Sequence, residues 1–288
     1  MTASAAPERV GVLGGGRMGA GIAHAFCLAG SHVTVVERDA DSAESARVRV
    51  FASLATSVER GTTTESLTVL TARVAVGTDD TAFAQARLVI EAVPEDIQLK
   101  TEALRRVEDR IGPRAWLASN TSSISINALA EGLRRPERFC GLHFFNPVPS
   151  SRLVEIVVSP SSDAELIELA RGWVASLDKT PIVVNDAPGF ASSRLGVALG
   201  LEAIRMVEDG VASAEDIDAA MVLGYQHPVG PLRLTDIVGL DVRLGIAEYL
   251  HSTLGERFRP PSLLRSMVAR GDLGRKSGRG FYTWSSVS

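Results

Sequence analysis

The chain has 288 residues, 45% of them hydrophobic and 22% charged, with a formal net charge of −4. That length calls for one large or two unequal domains with ample core, and the mild acidity excludes an electrostatic footprint for nucleic acid or an anionic membrane surface. The longest apolar stretch, residues 189–207, carries Arg194, Glu202 and Arg205, so it reads as a buried helix and not a membrane span.

Residues 1–9 contain no basic segment leading into an apolar run, so no secretory signal is expected. Cys27 and Cys140 lie in apolar surroundings without metal-type spacing. They read as buried free thiols in a reducing compartment, which points to a cytoplasmic protein without a metal site.

In chain order, residues 10–13 form an apolar strand that runs into Gly14-Gly15-Gly16-Arg17-Met18-Gly19. A helix-like stretch follows to Leu28, then an apolar strand over 33–36, closed by Glu37. Strand, glycine turn, helix, strand and acid in this order are the context of a dinucleotide-binding unit. Gly14 permits the tight turn, Gly16 lets backbone approach a pyrophosphate, and Gly19 lets helix and strand pack closely. The helix N-terminus offers unpaired N–H groups to the phosphates. Glu37 would accept hydrogen bonds from the adenosine ribose, which favours NAD over NADP. Arg38 reads as a solvated charge; His24 and His32 read as structural or exposed.

Residues 39–60 carry apolar or small side chains at helical spacing, and Thr62-x-x-Glu65 reads as a capping box opening a second helix to residue 72. A projecting helical hairpin is therefore expected. Strands follow at 74–76 and 88–90, then Glu95 and Lys100 at the start of a helix to residue 111. The strand 115–118 ends in Ser119-Asn120-Thr121-Ser122-Ser123, short hydrogen-bonding side chains at the sheet rim where ligands bind. N-caps and turns use the same residues.

Residues 139–145, 153–158 and 181–184 complete the sheet, with a helix over 163–177. His143 lies in the first of these strands and Glu155 in the second. The connection, Asn-Pro-Val-Pro-Ser-Ser, is too short for a helical crossover, so these strands either pair antiparallel or splay apart. If they pair, a carboxylate can face the imidazole, favour its charged form and fix its tautomer, as a general base requires. After Gly189 only helices are expected, beginning with a long one over 190–209 that is apolar on nearly all sides. The fold class is therefore α/β: a Rossmann-type, mostly parallel sheet with antiparallel edge strands and a helical-hairpin insertion, residues 1–186, followed by a smaller all-α domain, residues 187–288.

Taken together, Gly14-x-Gly16-x-x-Gly19, Glu91-Ala92-x-x-Glu95 with Lys100, Ser119–Ser123, Gly-Leu-His143-Phe-Phe-Asn146-Pro147, Pro188-Gly189-Phe190 and Lys276-Ser277-Gly278-Arg279-Gly280-Phe281-Tyr282 resemble the monofunctional L-3-hydroxyacyl-coenzyme A dehydrogenases. The resemblance covers essentially the whole chain. It implies reversible NAD-dependent oxidation of a (S)-3-hydroxyacyl-coenzyme A, with His143 as base, Glu155 as its charge partner and Ser122 bonded to the substrate oxygen. It implies that Glu95, Lys100, Asn146 and Lys276 contact or position NAD. Ser53 and Arg60 on the hairpin would meet coenzyme A. From its own pattern, a short helical domain built around one apolar helix reads as a homodimer interface or as a cap on the cleft. Arg60 stands where the family often has lysine. Ser193 stands where the family usually has a substrate-holding asparagine, which puts the full catalytic set and the acyl pocket in question. The alternatives are a dehydrogenase of free hydroxy or sugar acids, as in the gulonate dehydrogenase and lambda-crystallin branch, and a non-catalytic NAD-binding protein.

Overall fold

The computed structural model describes residues 5–284. The chain divides into two compact units, Met1–Asp186 and Ala187–Ser288. In the first, β1 (Arg9–Leu13) leads through the glycine turn to α1 (Arg17–Leu28) and β2 (His32–Val36). Then come α2 (Ala40–Glu59), α3 (Leu67–Ala72), β3 (Val74–Gly77), β4 (Leu88–Glu91), α4 (Ile97–Arg110), β5 (Trp116–Ser119) and α5 (Ile126–Ala130). The unit closes with β6 (Phe139–Phe144), β7 (Leu153–Val158), α6 (Ala164–Ser176) and β8 (Thr180–Asn185).

The strands form one sheet in the order β3-β2-β1-β4-β5-β6-β7-β8. β6 and β7 pair antiparallel; the other neighbours run parallel. β4, β5 and β6 are buried at every position, the pattern of strands covered on both faces by crossover helices. The expected Rossmann-type sheet with an antiparallel addition at one edge is therefore the observed one.

α2 starts where Asp39 accepts the Ser42 N–H, and it buries Ala43, Ala46, Val50 and Leu54 along one stripe. The expected capping box at Thr62 does not form. The Thr62 hydroxyl donates to the Ser57 carbonyl, and the second helix begins only at Leu67, capped by Ser66. Glu65 instead makes a bidentate ion pair with Arg73 at 2.5 and 2.6 Å. A guanidinium fork eight residues away outcompetes a helix N–H for that carboxylate. The second arm of the hairpin is thus six residues long.

The second unit holds α7 (Ser192–Glu208), α8 (Ala214–Gly224), α9 (Pro231–Val238), α10 (Leu240–Leu254) and α11 (Ser262–Ala269). Its core includes Val197, Leu201, Ile204, Leu232, Leu240, Leu250 and Leu264. α7 is not buried all round as expected: Leu195 is 70% exposed and Leu199 36%. The buried Asp236 carboxylate accepts the Phe281 and Tyr282 N–H groups and the Trp284 indole, which pins the C-terminal segment.

His24 on α1 is buried, with Nε2 bonded to the Ser57 hydroxyl and Nδ1 without a partner. Desolvation, aided by the nearby Lys179 ammonium, lowers its pKa to about 4. Unfolded, it would titrate near 6.5. The unfolded chain therefore binds more protons between those values, and stability rises with pH across that window. Replacing His24 with Gln should flatten the pH dependence of unfolding free energy between pH 4 and 6.5 by up to about 3 kcal/mol. Urea titrations at stepped pH check this.

Candidate active site

The glycine turn has the shape that a dinucleotide needs. Gly14 has φ +93°, and a Cβ at Gly19 would stand 1.8 Å from the Gly14 carbonyl oxygen, so neither position accepts a side chain. A Cβ at Gly16 would meet nothing within 4 Å. That residue faces open space at the N-terminus of α1, where no side chain caps the free N–H groups. An uncapped helix end beside open space fits a pyrophosphate. Glu37, just after β2, accepts the Gly15 N–H at 2.6 Å and so braces the turn. Arg38 is solvated and paired with Asp39, as its sequence context implies.

A polar network lies at the ends of β4 and β5. The Glu91 carboxylate is fully buried and accepts from the Lys100 ammonium at 2.7 Å, the Val93 N–H at 2.7 Å and the Ser119 hydroxyl at 2.5 Å. Lys100 is 1% exposed, and its ammonium also donates to the Val93 carbonyl at 3.1 Å. Glu95 lies 3.4 Å from Lys100. One Glu95 oxygen gathers the Thr121 hydroxyl, the Ser122 N–H and hydroxyl, and the Ser123 N–H and hydroxyl. Desolvation alone would raise the Glu95 pKa. The Lys100 charge and the bonds from Thr121, Ser122 and Ser123 outweigh it and hold the carboxyl below its ordinary value. The serine loop is thus folded around an ionised carboxylate.

His143 and Glu155 face one another because β6 and β7 pair in that register, His143 opposite Glu155. Nδ1 lies 2.7 Å from Glu155 Oε2, and both residues are buried. Just beyond the histidine, the Phe144 N–H donates to the Asn120 side-chain oxygen at 2.9 Å. That bond ties the strand bearing His143 to the loop bearing Ser122. Asn146 follows at an exposed position.

Ser53 and Arg60 on α2 and its C-cap line a cavity of about 590 Å³ together with Ser57, Arg152 and Lys179. Nothing in the sequence marked the last two. Lys179 precedes β8, and its ammonium donates to the Val148 and Ser151 carbonyls at 2.6 and 2.5 Å, which fixes the turn between β6 and β7. In the helical unit, Ser193 lies half-buried in the first turn of α7, and Lys276 is ion-paired to Asp241 at 2.6 Å. Among the described residues no cluster of His, Cys, Asp or Glu could hold a metal ion.

A Rossmann-type sheet with an open glycine turn and a buried histidine–carboxylate pair on the same unit defines an NAD-dependent dehydrogenase. Comparison with known proteins narrows this. Residues 9–187 match the 3-hydroxyacyl-CoA dehydrogenase NAD binding domain, and residues 189–284 match the C-terminal domain of the same family. The chain is similar to a 3-hydroxybutyryl-CoA dehydrogenase of Mycobacterium tuberculosis, 43% identical over 98% of this chain and all of that one. A probable 3-hydroxybutyryl-CoA dehydrogenase of Deinococcus radiodurans is 41% identical over 96% of this chain and all of its own length. The crystal structure of a (S)-3-hydroxybutyryl-CoA dehydrogenase from Ralstonia eutropha superposes with a TM-score of 0.92 at 37% identity, covering 98% of this chain and all of that one. The chain belongs to the 3-hydroxyacyl-CoA dehydrogenase family and carries out NAD-dependent oxidation of 3-hydroxyacyl-coenzyme A.

The two glycines of the turn should respond differently to substitution. Gly16→Ala should leave the melting temperature within about 2 °C, because its Cβ meets nothing, while weakening NADH at least about tenfold by blocking close backbone approach. Gly19→Ala should destabilise the fold by 2 kcal/mol or roughly more. Thermal denaturation and NADH fluorescence titration of both variants check this.

Proposed function

We propose that His143 and Glu155 are the general base pair for oxidation of short (S)-3-hydroxyacyl thioesters. The observation that carries the reading is the 2.7 Å contact between His143 Nδ1 and Glu155 Oε2 inside the sheet. With Nδ1 committed to the carboxylate, the tautomer is fixed and Nε2 is the nitrogen that takes the hydroxyl proton. The imidazolium formed is stabilised by Glu155 as the charge develops, so the carboxylate contributes most in the transition state. When bound, NAD supplies the hydride acceptor.

Gly14, Gly16, Gly19 and Glu37 hold the adenosine and pyrophosphate side of the cofactor. Glu95, anchored by Lys100, holds the Ser122 backbone through its N–H, and the Ser122 hydroxyl turns from Glu95 to donate to the substrate oxygen. Asn146 and Lys276 complete the cofactor contacts in this reading. Ser53 and Arg60 meet the coenzyme A portion. Arg60 and Arg152 in one cavity with serine and threonine hydroxyls suit a phosphate-bearing group.

Residues 1–186 thus serve NAD, and residues 187–288 serve the acyl group, with Ser193 in contact with it, and a homodimer interface. Exposed apolar side chains on the helical unit support the last assignment: Leu223 at 81%, Tyr225 at 75% and Leu195 at 70%. No helix among the described residues is long and apolar enough to cross a membrane, which accords with a cytoplasmic enzyme.

The experiment is reduction of acetoacetyl-coenzyme A by NADH, followed by absorbance. His143→Ala should lower turnover by about 10²–10⁴ while NADH affinity stays within a few-fold. Glu155→Gln keeps a hydrogen bond but removes the charge, and should lower kcat by about tenfold or more with little change in KM. Unchanged turnover in His143→Ala would reject the assignment.

A further inference from the structure

Among the described residues, two guanidinium groups at the glycine turn have no acid of their own. Arg17 is the first residue of α1 and follows Gly16 directly. Arg49 lies on α2, three residues after Ala46 and on the same side of the helix. That side abuts the turn, since a Cβ at Gly15 would stand 2.3 Å from the Ala46 Cβ. Arg49 Nη1 reaches across and donates to the Gly15 carbonyl at 3.4 Å. Both arginines are exposed, and neither has a carboxylate within ion-pair distance.

The neighbouring cations in sequence are differently placed. Arg38 pairs with Asp39, and Arg47 pairs with Glu44. The Glu37 carboxylate serves the backbone, accepting the Gly15 N–H at 2.6 Å and the Arg38 N–H at 3.2 Å. Arg49 meets Gly15 from its carbonyl and Glu37 meets it from its N–H, so the two opposite charges are tied to one residue of the turn without pairing with each other.

Arg17 is also set against the field of its own helix. The N-terminal end of a helix carries a partial positive charge, so a cation in the first turn is unfavourable unless an anion joins it. The first turn of α1 holds no acidic residue, and no side chain caps it. A solvated arginine elsewhere on a surface carries no such penalty. Three sources of positive potential therefore meet beside the open space at Gly16: the α1 N-terminus, Arg17 and Arg49. The anion that belongs there is known in kind, because residues 9–187 match an NAD binding domain.

We infer that Arg17 and Arg49 are phosphate ligands, their guanidinium groups binding the pyrophosphate of the dinucleotide in addition to the backbone N–H groups of the turn. The inference rests on the reading above that Gly14 and Gly16 hold the pyrophosphate. A guanidinium donates to phosphate oxygens in pairs and keeps its charge at every working pH. Arg49 already holds the Gly15 carbonyl, so part of its ordering cost is met before the cofactor arrives. Cofactor affinity in this chain is then set by side-chain charge as well as by the shape of the glycine turn.

The test measures dissociation constants for NADH and NADPH by fluorescence, and for ADP-ribose and adenosine by displacement of NADH, in wild type, Arg17→Met, Arg49→Met and Arg38→Met. Arg17→Met and Arg49→Met should each weaken NADH and ADP-ribose by about tenfold, and adenosine by less than about twofold. Arg38→Met should change none of them by more than about twofold. Arg17→Met should also melt about 1–3 °C above wild type without ligand, since a cation no longer opposes the helix end, yet gain less than wild type when NADH is added. Equal losses on NADH and adenosine overturn the inference, because a distorted turn weakens both. A loss confined to NADPH overturns it as well and assigns the cations to a ribose phosphate, and NADH affinities within twofold of wild type in both variants show solvated charges only. If Gly16→Ala fails to weaken NADH, the turn does not hold the pyrophosphate and the underlying reading falls. If Gly16→Ala weakens NADH while both arginine variants bind it normally, only this inference falls.

Discussion

The half of the sheet that carries His143 depends on one antiparallel joint. Had β7 continued the parallel order, a crossover would have separated it from β6 by a dozen or more residues. Reversing direction through a short turn instead sets His143 opposite Glu155. A one-residue slip in that register would send the carboxylate to the other face of the sheet and leave two buried polar groups unsatisfied. Fixing the register therefore matters more than the chemistry of either side chain alone. Three bonds contribute: the Phe144 N–H held by Asn120, and the two turn carbonyls held by Lys179.

The second organising element is the acid pair at the ends of β4 and α4. Glu91 and Lys100 form a buried ion pair, a contact whose desolvation largely offsets its attraction. Its role is geometric. It orients Lys100 so that Glu95 stays ionised, and Glu95 in turn shapes the backbone on which Ser122 sits. Structure is thus passed from a sealed charge pair to a solvent-facing hydroxyl through two carboxylates. Removing Glu91 would leave the ammonium buried without its main partner.

Much of this was legible in the residue order. The glycine turn, the sheet with its reversed strand, the pairing of His143 with Glu155 and the succession of helices after Gly189 follow from periodicity, punctuation and loop length. What escaped was long-range competition for polar groups. Glu65 carried the local signature of a capping box, yet Arg73 claimed it. Lys100 looked like a rim residue but is drawn inside by Glu91. Lys179, beside a turn on the far side of α6, gave no sign that it would reach back 28 and 31 residues to two carbonyls. Sequence spacing reports what sits on one face; it does not report which of several partners a charge will choose.

The two thiols offer a last consequence. Cys27, bonded to the Leu70 carbonyl, and Cys140 in β6 are both sealed in apolar surroundings, which push their pKa values up to about 11 and about 12. At neutral pH both therefore stay in the thiol form, not the thiolate that peroxides and alkylating reagents attack. The folded enzyme should therefore work through oxidative stress that silences dehydrogenases built on a reactive sulfur, and its cysteines become vulnerable only when the chain comes apart.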